Sequence, residues 1–218
     1  MPAESKNGAT SAPARSILPP YVVLRDFLGA DAVRGLLEHA LAHEPEFAAT
    51  RTQHGEIRPA VRNSLGLQDL GRFRPVLEAK VLGALPALIA ALRVSAIESP
   101  RLEVQLVAHG DGAFYKRHID TRTASDQQRL RVLSGVYYFH AEPKAFGGGA
   151  LRLFAIGPNA ADYVDIEPAR DSLLVFPSWA PHEVMPVSCP SRRFIDSRFA
   201  INCWVRSKNP NAASEAPA

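Results

Sequence analysis

The sequence predicts an α+β fold in which a helical lead-in supports a double-stranded β-helix, the jelly-roll form of a two-sheet sandwich. Three observations point there. The first half carries apolar residues at helical spacing, and near Leu102 the pattern switches to alternation of apolar and polar residues. The strand-like runs that follow are short and divided by turn signals rich in glycine and proline. Roughly six to eight such strands after a helical start suit a jelly roll.

The helices come first. Val33, Leu36, Leu37, Ala40 and Leu41 recur at three-and-four spacing behind Asp31, a candidate N-cap, and Pro45 ends the run. A second helix is expected with Pro75 in its first turn and Val76, Leu77, Val81, Ala84, Leu85, Leu88 and Leu92 along it. Pro86 should kink or divide that helix. The polar segment TQHGEIRPAVRNS between the helices reads as a loop. Beyond Leu102 the runs VLSGVYYFH, ALRLFAI, ADYVDIE, SLLVFP and RFAINCWVR read as strands. These boundaries give one domain over 18–206, divided into the helical lead-in 18–100 and the β core 101–206. It is flanked by an arm, 1–17, and a tail, 207–218, whose Ala, Ser and Pro content predicts disorder.

Composition narrows the function classes. With 218 residues, 46% hydrophobic and 22% charged, the chain has enough apolar material for one real core. The net charge of +3 is spread along the chain, so there is no specific nucleic-acid signal. Two cysteines, Cys189 and Cys203, are too few for a disulfide framework and are expected to be reduced. No apolar leader stands at the start, and no run is expected to span a membrane. A soluble cytoplasmic protein is therefore the expectation.

The chemistry sits in the β half. His118 and Asp120 are two residues apart, so on a strand or at its exit both side chains point to one side. His182 follows the proline-rich turn Phe176-Pro177-Ser178-Trp179-Ala180-Pro181. Two imidazoles and one carboxylate on one face of Fe(II) leave the opposite positions open for a co-substrate and dioxygen. In the last strand, alternation puts Arg198, Ala200, Asn202 and Trp204 on one face and Phe199, Ile201 and Cys203 on the other. If Phe199 and Ile201 face the layer between sheets, Arg198 faces the lumen and needs an anion there. A dicarboxylate held in a bidentate fork would supply one. Exposure of Arg198, or a pair with Asp196, is the alternative.

Taken in order, GDGAFYKRHID, SGVYYFH, FGGGALRLF, LLVFPSWAPHEVMPV and DSRFAINCW resemble the 2-oxoglutarate/Fe(II)-dependent oxygenase superfamily, in its prolyl 4-hydroxylase-like branch. The resemblance runs from about Leu102 to Arg206, nearly half the chain. It implies that His118, Asp120 and His182 hold Fe(II), with 2-oxoglutarate and dioxygen as co-substrates. It implies that Arg198 and Tyr138 bind the far carboxylate of 2-oxoglutarate, with Tyr137 replacing Tyr138 if the register differs by one. The insert between His182 and Arg198 makes Arg192 and Arg193 rivals, although Pro190 there is a poor strand residue. His109 stands where relatives often carry tyrosine, so it either alters the pocket near the iron or is a polar turn residue. The Gly147-Gly148-Gly149 turn is expected at a barrel edge, where the backbone can approach closely, or is a plain turn. His39, His43, His54 and His140 match no motif and read as helix-surface or loop residues.

The implied activity is hydroxylation of a C–H bond in a peptidyl or free amino acid, or in a small metabolite. The 121–131 loop is expected to select it. Two other readings stay open. One is a nucleic-acid demethylase of the same superfamily, suggested by the spaced pair Arg192 and Arg198; the other is a non-catalytic jelly-roll binding module.

Overall fold

The computed structural model describes residues 16–52, 55–121, 129–158 and 161–209. Most of the arm and tail, His54 and most of the 121–131 loop lie outside the described residues. What is described of the two ends is ordered. Ile17 bridges Ile156, and Ser207 and Lys208 extend the last strand, pairing with Leu130 and Arg129.

In chain order the elements are β1 (Val22–Arg25), α1 (Ala30–Ala42), a 3-10 turn (Glu44–Glu46), β2 (Ala48–Ala49), β3 (Arg62–Asn63), β4 (Leu65–Leu67) and α2 (Phe73–Leu92). There follow β5 (Arg101–His109), β6 (Phe114–His118), β7 (Arg129–Phe139), β8 (Gly147–Gly148), β9 (Leu151–Phe154) and β10 (Tyr163–Ile166). The chain closes with β11 (Ser172–Pro177), β12 (His182–Val184), β13 (Val187–Ser188), a 3-10 turn (Phe194–Asp196) and β14 (Arg198–Lys208). A seven-stranded sheet runs β1-β11-β7-β14-β5-β4-β2, and a five-stranded sheet runs β10-β9-β12-β6-β3. Every pairing in both is antiparallel.

The lead-in is therefore not only helical. β1 and β4 join the large sheet beside β11 and β5, and β3, inside the segment read as a loop, forms the edge of the small sheet. These strands have two to four residues. Period-two reading needs longer runs, which is why they escape it.

The core has two layers, one on each face of the large sheet. Leu133, Tyr137, Phe139, Phe199, Ile201 and Cys203 meet the buried stripes of α1 and α2. On the opposite face Val136, Tyr138, Leu174, Phe176 and Ala200 meet Leu151, Leu153 and Ile166 of the small sheet. Phe199 and Ile201 thus face the helices, and not the layer between the sheets as the alternation argument assumed. Strand alternation still sends Arg198 to the other side, toward the small sheet.

In α1 the buried apolar residues are Val33, Leu36 and Ala40. In α2 they are Phe73, Leu77, Val81, Leu85, Leu88 and Leu92, near-regular steps of four, while Val76 is exposed. Each buried leucine contributes about 2 kcal/mol. Pro86 lies on the outer face of α2, where water can satisfy the carbonyl it frees, and the helix is not divided. α2 also has the length, and at a mean hydropathy of 1.7 the composition, of a membrane span, contrary to expectation. The stripe it packs into the core accounts for much of that apolarity.

Asp31 is not the N-cap of α1: Gly29 holds that position, and Asp31 pairs with Arg34 one turn on. The start of the helix is held from outside. Asp171, just before β11, accepts from the Leu28 and Gly29 amides at 2.8 and 2.9 Å and from the Tyr137 hydroxyl at 2.8 Å. A single buried carboxylate thus joins helix start, large sheet and β11. Asp171→Ala should cost about 3 kcal/mol, because three donors lose their acceptor. Tyr137→Phe should cost about 1 kcal/mol. Urea unfolding with an unchanged m-value would check both.

Candidate metal centre

His118 is the last residue of β6 and His182 the first of β12, and the two pair directly across the small sheet. Their rings sit with centroids 4.2 Å apart. Asp120 lies just past the end of β6, where its own amide and that of Thr121 donate to the Ser178 carbonyl at 2.9 and 3.1 Å. The Phe176–Pro181 turn thus positions both halves of the site: it delivers His182 and clamps the backbone that carries Asp120.

The side-chain geometry leaves the ligand atoms facing one point. His118 Nδ1 bonds the Lys116 carbonyl at 2.8 Å, and His182 Nδ1 bonds the Ala180 carbonyl at 2.9 Å. A carbonyl only accepts, so each Nδ1 carries the proton and each Nε2 presents its lone pair. Asp120 Oδ1 is 3.7 Å from His118 Nε2, and Oδ2 is 3.6 Å from His182 Nε2. One ligand atom from each of the three residues lies within 4.8 Å of the others.

Asp120 is oriented from the large sheet. Its Oδ2 accepts from Ser134 Oγ at 2.7 Å and from Trp204 Nε1 at 2.9 Å. Burial pushes its carboxyl pKa up, but the two imidazoles and these two hydrogen bonds outweigh that and hold it below the ordinary value. His118 is brought down to about 3, first by burial and then by the proximity of His182. At neutral pH it is therefore neutral, the form a metal requires of an imidazole.

The cavity around these residues is also lined by His109, Leu151, Val184, Arg198 and Asn202. Arg198 is 1% exposed and has no carboxylate within 4 Å among the described residues. Its Nε donates to the Gly149 carbonyl at 2.7 Å, and its Nη1 lies 3.2 Å from His109 Nδ1. Nη2 has no hydrogen-bond partner, and neither has the hydroxyl of Tyr138, over whose ring the guanidinium sits at 4.9 Å. Burial pushes Tyr138 up to about 12, so it is a donor. The two groups interact with each other, and with no carboxylate beside them among the described residues they fit the carboxylate of a dicarboxylic acid.

The rivals go elsewhere. Tyr137 faces the helices and binds Asp171, Arg193 is taken up by Asp196, and exposed Arg192 pairs with Asp111. Asp196 is thus not the partner of Arg198. His109 is the final residue of β5, in register with Arg198, and is not a turn residue. Burial, followed by the charge of Arg198, drives its pKa well below the ordinary value, so it is neutral and can accept from the guanidinium.

Gly149 has a specific role here. It has φ +70°, and a Cβ placed on it would lie 2.6 Å from Arg198 Cδ and 2.9 Å from Val187 Cγ2. Only glycine lets the strand end approach Arg198 this closely.

Sequence reasoning passed over Ser134 and Trp204, although alternation marks both: Ser134 shares a face with Tyr138, and Trp204 with Arg198. It also passed over Arg62, for which there was no signal, since its segment read as a loop. Buried Arg62 bonds the Arg51 carbonyl at 2.8 Å and Gln105 Oε1 at 3.2 Å. Its guanidinium lies 4.8 Å over the ring of Tyr115, which stacks on His118 at 3.6 Å. Arg62, Tyr115, Asp120 and Trp204 separate this cavity from an outer groove of about 640 Å³. In that groove Arg131 lies over the Trp204 ring and pairs with Glu103.

Two antiparallel sheets, helices behind the larger one, and two histidines with one carboxylate near a buried guanidinium make a donor arrangement that fits the non-haem iron class. Residues 104–206 match the profile of the 2OG-Fe(II) oxygenase superfamily. An uncharacterized PKHD-type hydroxylase from Synechocystis sp. is 32% identical over 194 residues. That match takes in 86% of this chain and 63% of the relative, so the chain spans under two thirds of that protein. A Pseudomonas putida prolyl-4-hydroxylase structure superposes with a TM-score of 0.65 at 26% identity, over 87% of this chain and 94% of that one. A Trichoplax adhaerens prolyl hydroxylase, solved with a hypoxia inducible factor peptide, gives 0.64 at 22% identity, covering 91% and 88%. Over residues 104–206 the chain is thus similar to the 2OG-Fe(II) oxygenase superfamily, and its architecture is similar to that of the prolyl hydroxylase structures. The family's cofactor set is Fe(II) with 2-oxoglutarate and dioxygen as co-substrates, and the donor set described here fits it.

Gly149→Ala should weaken 2-oxoglutarate binding about tenfold or more, equivalent to about 1.4 kcal/mol. Metal stoichiometry at the centre should stay unchanged. Calorimetry on Mn(II)-loaded protein checks this, and wild-type affinity would show that the close approach of Gly149 does not matter.

Proposed function

We propose that this protein is an Fe(II)- and 2-oxoglutarate-dependent dioxygenase that hydroxylates a C–H bond of a peptidyl or free amino acid, or of a small metabolite. The observation that carries the proposal is the convergence of three candidate metal ligands in a cavity that Arg198 also lines, with no carboxylate paired to that guanidinium among the described residues. The two-sheet architecture would be a double-stranded β-helix, the jelly roll, within a single domain over 18–206. A cytoplasmic location is part of the same reading.

In this proposal His118, Asp120 and His182 hold the metal, the imidazoles through Nε2. Ser134 and Trp204 keep the carboxylate turned toward it, and the carbonyls of Lys116 and Ala180 fix the two tautomers. Arg198 and Tyr138 bind the distal carboxylate of 2-oxoglutarate and so set its orientation, with His109 accepting from the guanidinium's other arm. Bound iron supplies the coupled reduction of dioxygen, in which one oxygen atom goes to succinate as carbon dioxide is lost and the other to the substrate. The substrate would lie in the outer groove, whose wall of Arg62, Tyr115 and Trp204 borders the centre. Arg62, Glu103 and Arg131 give that wall charges of both signs, which suits a polar, backbone-bearing substrate better than a purely apolar one.

Anaerobic loading with Fe(II), followed by 2-oxoglutarate and air, should release succinate slowly without substrate and faster with one. Asp120→Ala should abolish both rates. Arg198→Met should raise the KM for 2-oxoglutarate by about tenfold or more, since it removes a charge-assisted bond worth about 1.5–3 kcal/mol. Succinate release by Asp120→Ala at the wild-type rate would refute the metal assignment. Formaldehyde from methylated oligonucleotides would replace hydroxylation with demethylation. A chain that binds Fe(II) and forms no succinate with any substrate would be a binding module.

A further inference from the structure

A second group of metal-binding side chains lies on a different part of the fold. His39 is in the last turn of α1, His43 is the residue that caps it, and Asp69 stands in the turn between β4 and α2. One ligand atom from each lies within 4.8 Å of the others, the same closeness found at His118, Asp120 and His182. We propose that His39, His43 and Asp69 form a second, independent site for a divalent transition-metal ion of the zinc, nickel or copper type.

Positions four apart on a helix share one face, and here the two rings are 4.2 Å apart. His43 Nδ1 bonds the His39 carbonyl at 2.8 Å, so that nitrogen is the donor and Nε2 is left with its lone pair. This is the device that sets the tautomers of His118 and His182. His39 Nε2 bonds the Asp69 carbonyl at 3.0 Å, which leaves Nδ1 as its lone-pair nitrogen. Asp69 spends one carboxylate oxygen on the Gly71 amide at 2.7 Å and keeps the other for an ion.

Gly71 guards the remaining access. It has φ +50°, and a Cβ on it would come within 3.1 Å of His39 Cε1 and 3.4 Å of His39 Nδ1. Glycine therefore leaves that edge of the imidazole open. Both histidines are half-buried and Asp69 is exposed, so an ion from solution can reach the site and water can complete its shell.

The chemistry selects the class of ion. Two neutral imidazoles and one carboxylate suit borderline divalent metals, whereas calcium and magnesium favour all-oxygen shells. Ligand atoms on one tetrahedral zinc lie about 3.3 Å apart. Reaching that spacing calls for side-chain movement, and Asp69 is exposed. Occupancy would join the end of α1 to the β4–α2 turn. It would also hold the outer rim of the substrate groove, because Asp69 lines that groove with Leu67 and Gln68.

The test is a Zn(II) titration of the untagged, metal-free chain against a chromogenic chelator. Wild type should bind two equivalents. The His118→Ala/His182→Ala chain, which removes the first site, should keep one. Adding His43→Gln, or separately Asp69→Asn, should remove that one. Asp69→Asn preserves the bond to the Gly71 amide, so it leaves the turn intact, and circular dichroism of each variant checks folding. Retention of the equivalent by both folded variants, or its absence from the His118→Ala/His182→Ala chain, would overturn the proposal. Neither result bears on whether the first centre binds iron.

Discussion

A buried carboxylate between two imidazoles is the constraint on which the rest of the site depends. Asp120 cannot remain ionised away from water without hydrogen-bond donors, and the large sheet supplies two of them to its carboxylate. β7 contributes Ser134, β14 contributes Trp204, and the turn before β12 holds the Asp120 backbone. Oδ2 is thereby saturated, and the remaining coordination capacity points at the two Nε2 atoms. The same contacts that make the site tie the small sheet to the large one, so site geometry and sheet packing rise or fall together.

The second constraint is the uncompensated charge of Arg198. A guanidinium this deep is tolerable only with hydrogen bonds and an anion, and the protein provides the bonds without the anion. The Gly149 carbonyl and neutral His109 hold two of its nitrogens in place, and the guanidinium lies over the Tyr138 ring. Such a clamp is pre-organised: little rotamer freedom is left to lose when a carboxylate arrives. It lines the same cavity as His118, Asp120 and His182.

Much of this was legible in the chain itself. The spacing of His118 and Asp120, the later His182, and the alternation around Arg198 all announce chemistry through local pattern. The stripe of α1 was equally plain, since Val33, Leu36 and Ala40 recur at helical spacing, whereas α2 is apolar on most sides and its buried face was not legible from spacing. The same reading missed β1 to β4, because two to four residues carry no period. It also assumed the wrong neighbour for Phe199 and Ile201. Alternation states that two sets of side chains part company, but not which layer each set will meet.

The sequence alone determined which residues share a face, which segments can be helix or strand, and the order of the chemical motifs along the chain. These follow from backbone periodicity, which acts over a few residues. Only the tertiary structure decided that His182 pairs with His118, that Trp204 reaches Asp120, and that Asp69 comes up against His39 and His43. Those pairs are brought together by sheet register and helix docking. Register and docking reflect the burial of the whole apolar surface, and no short stretch of the chain encodes that total.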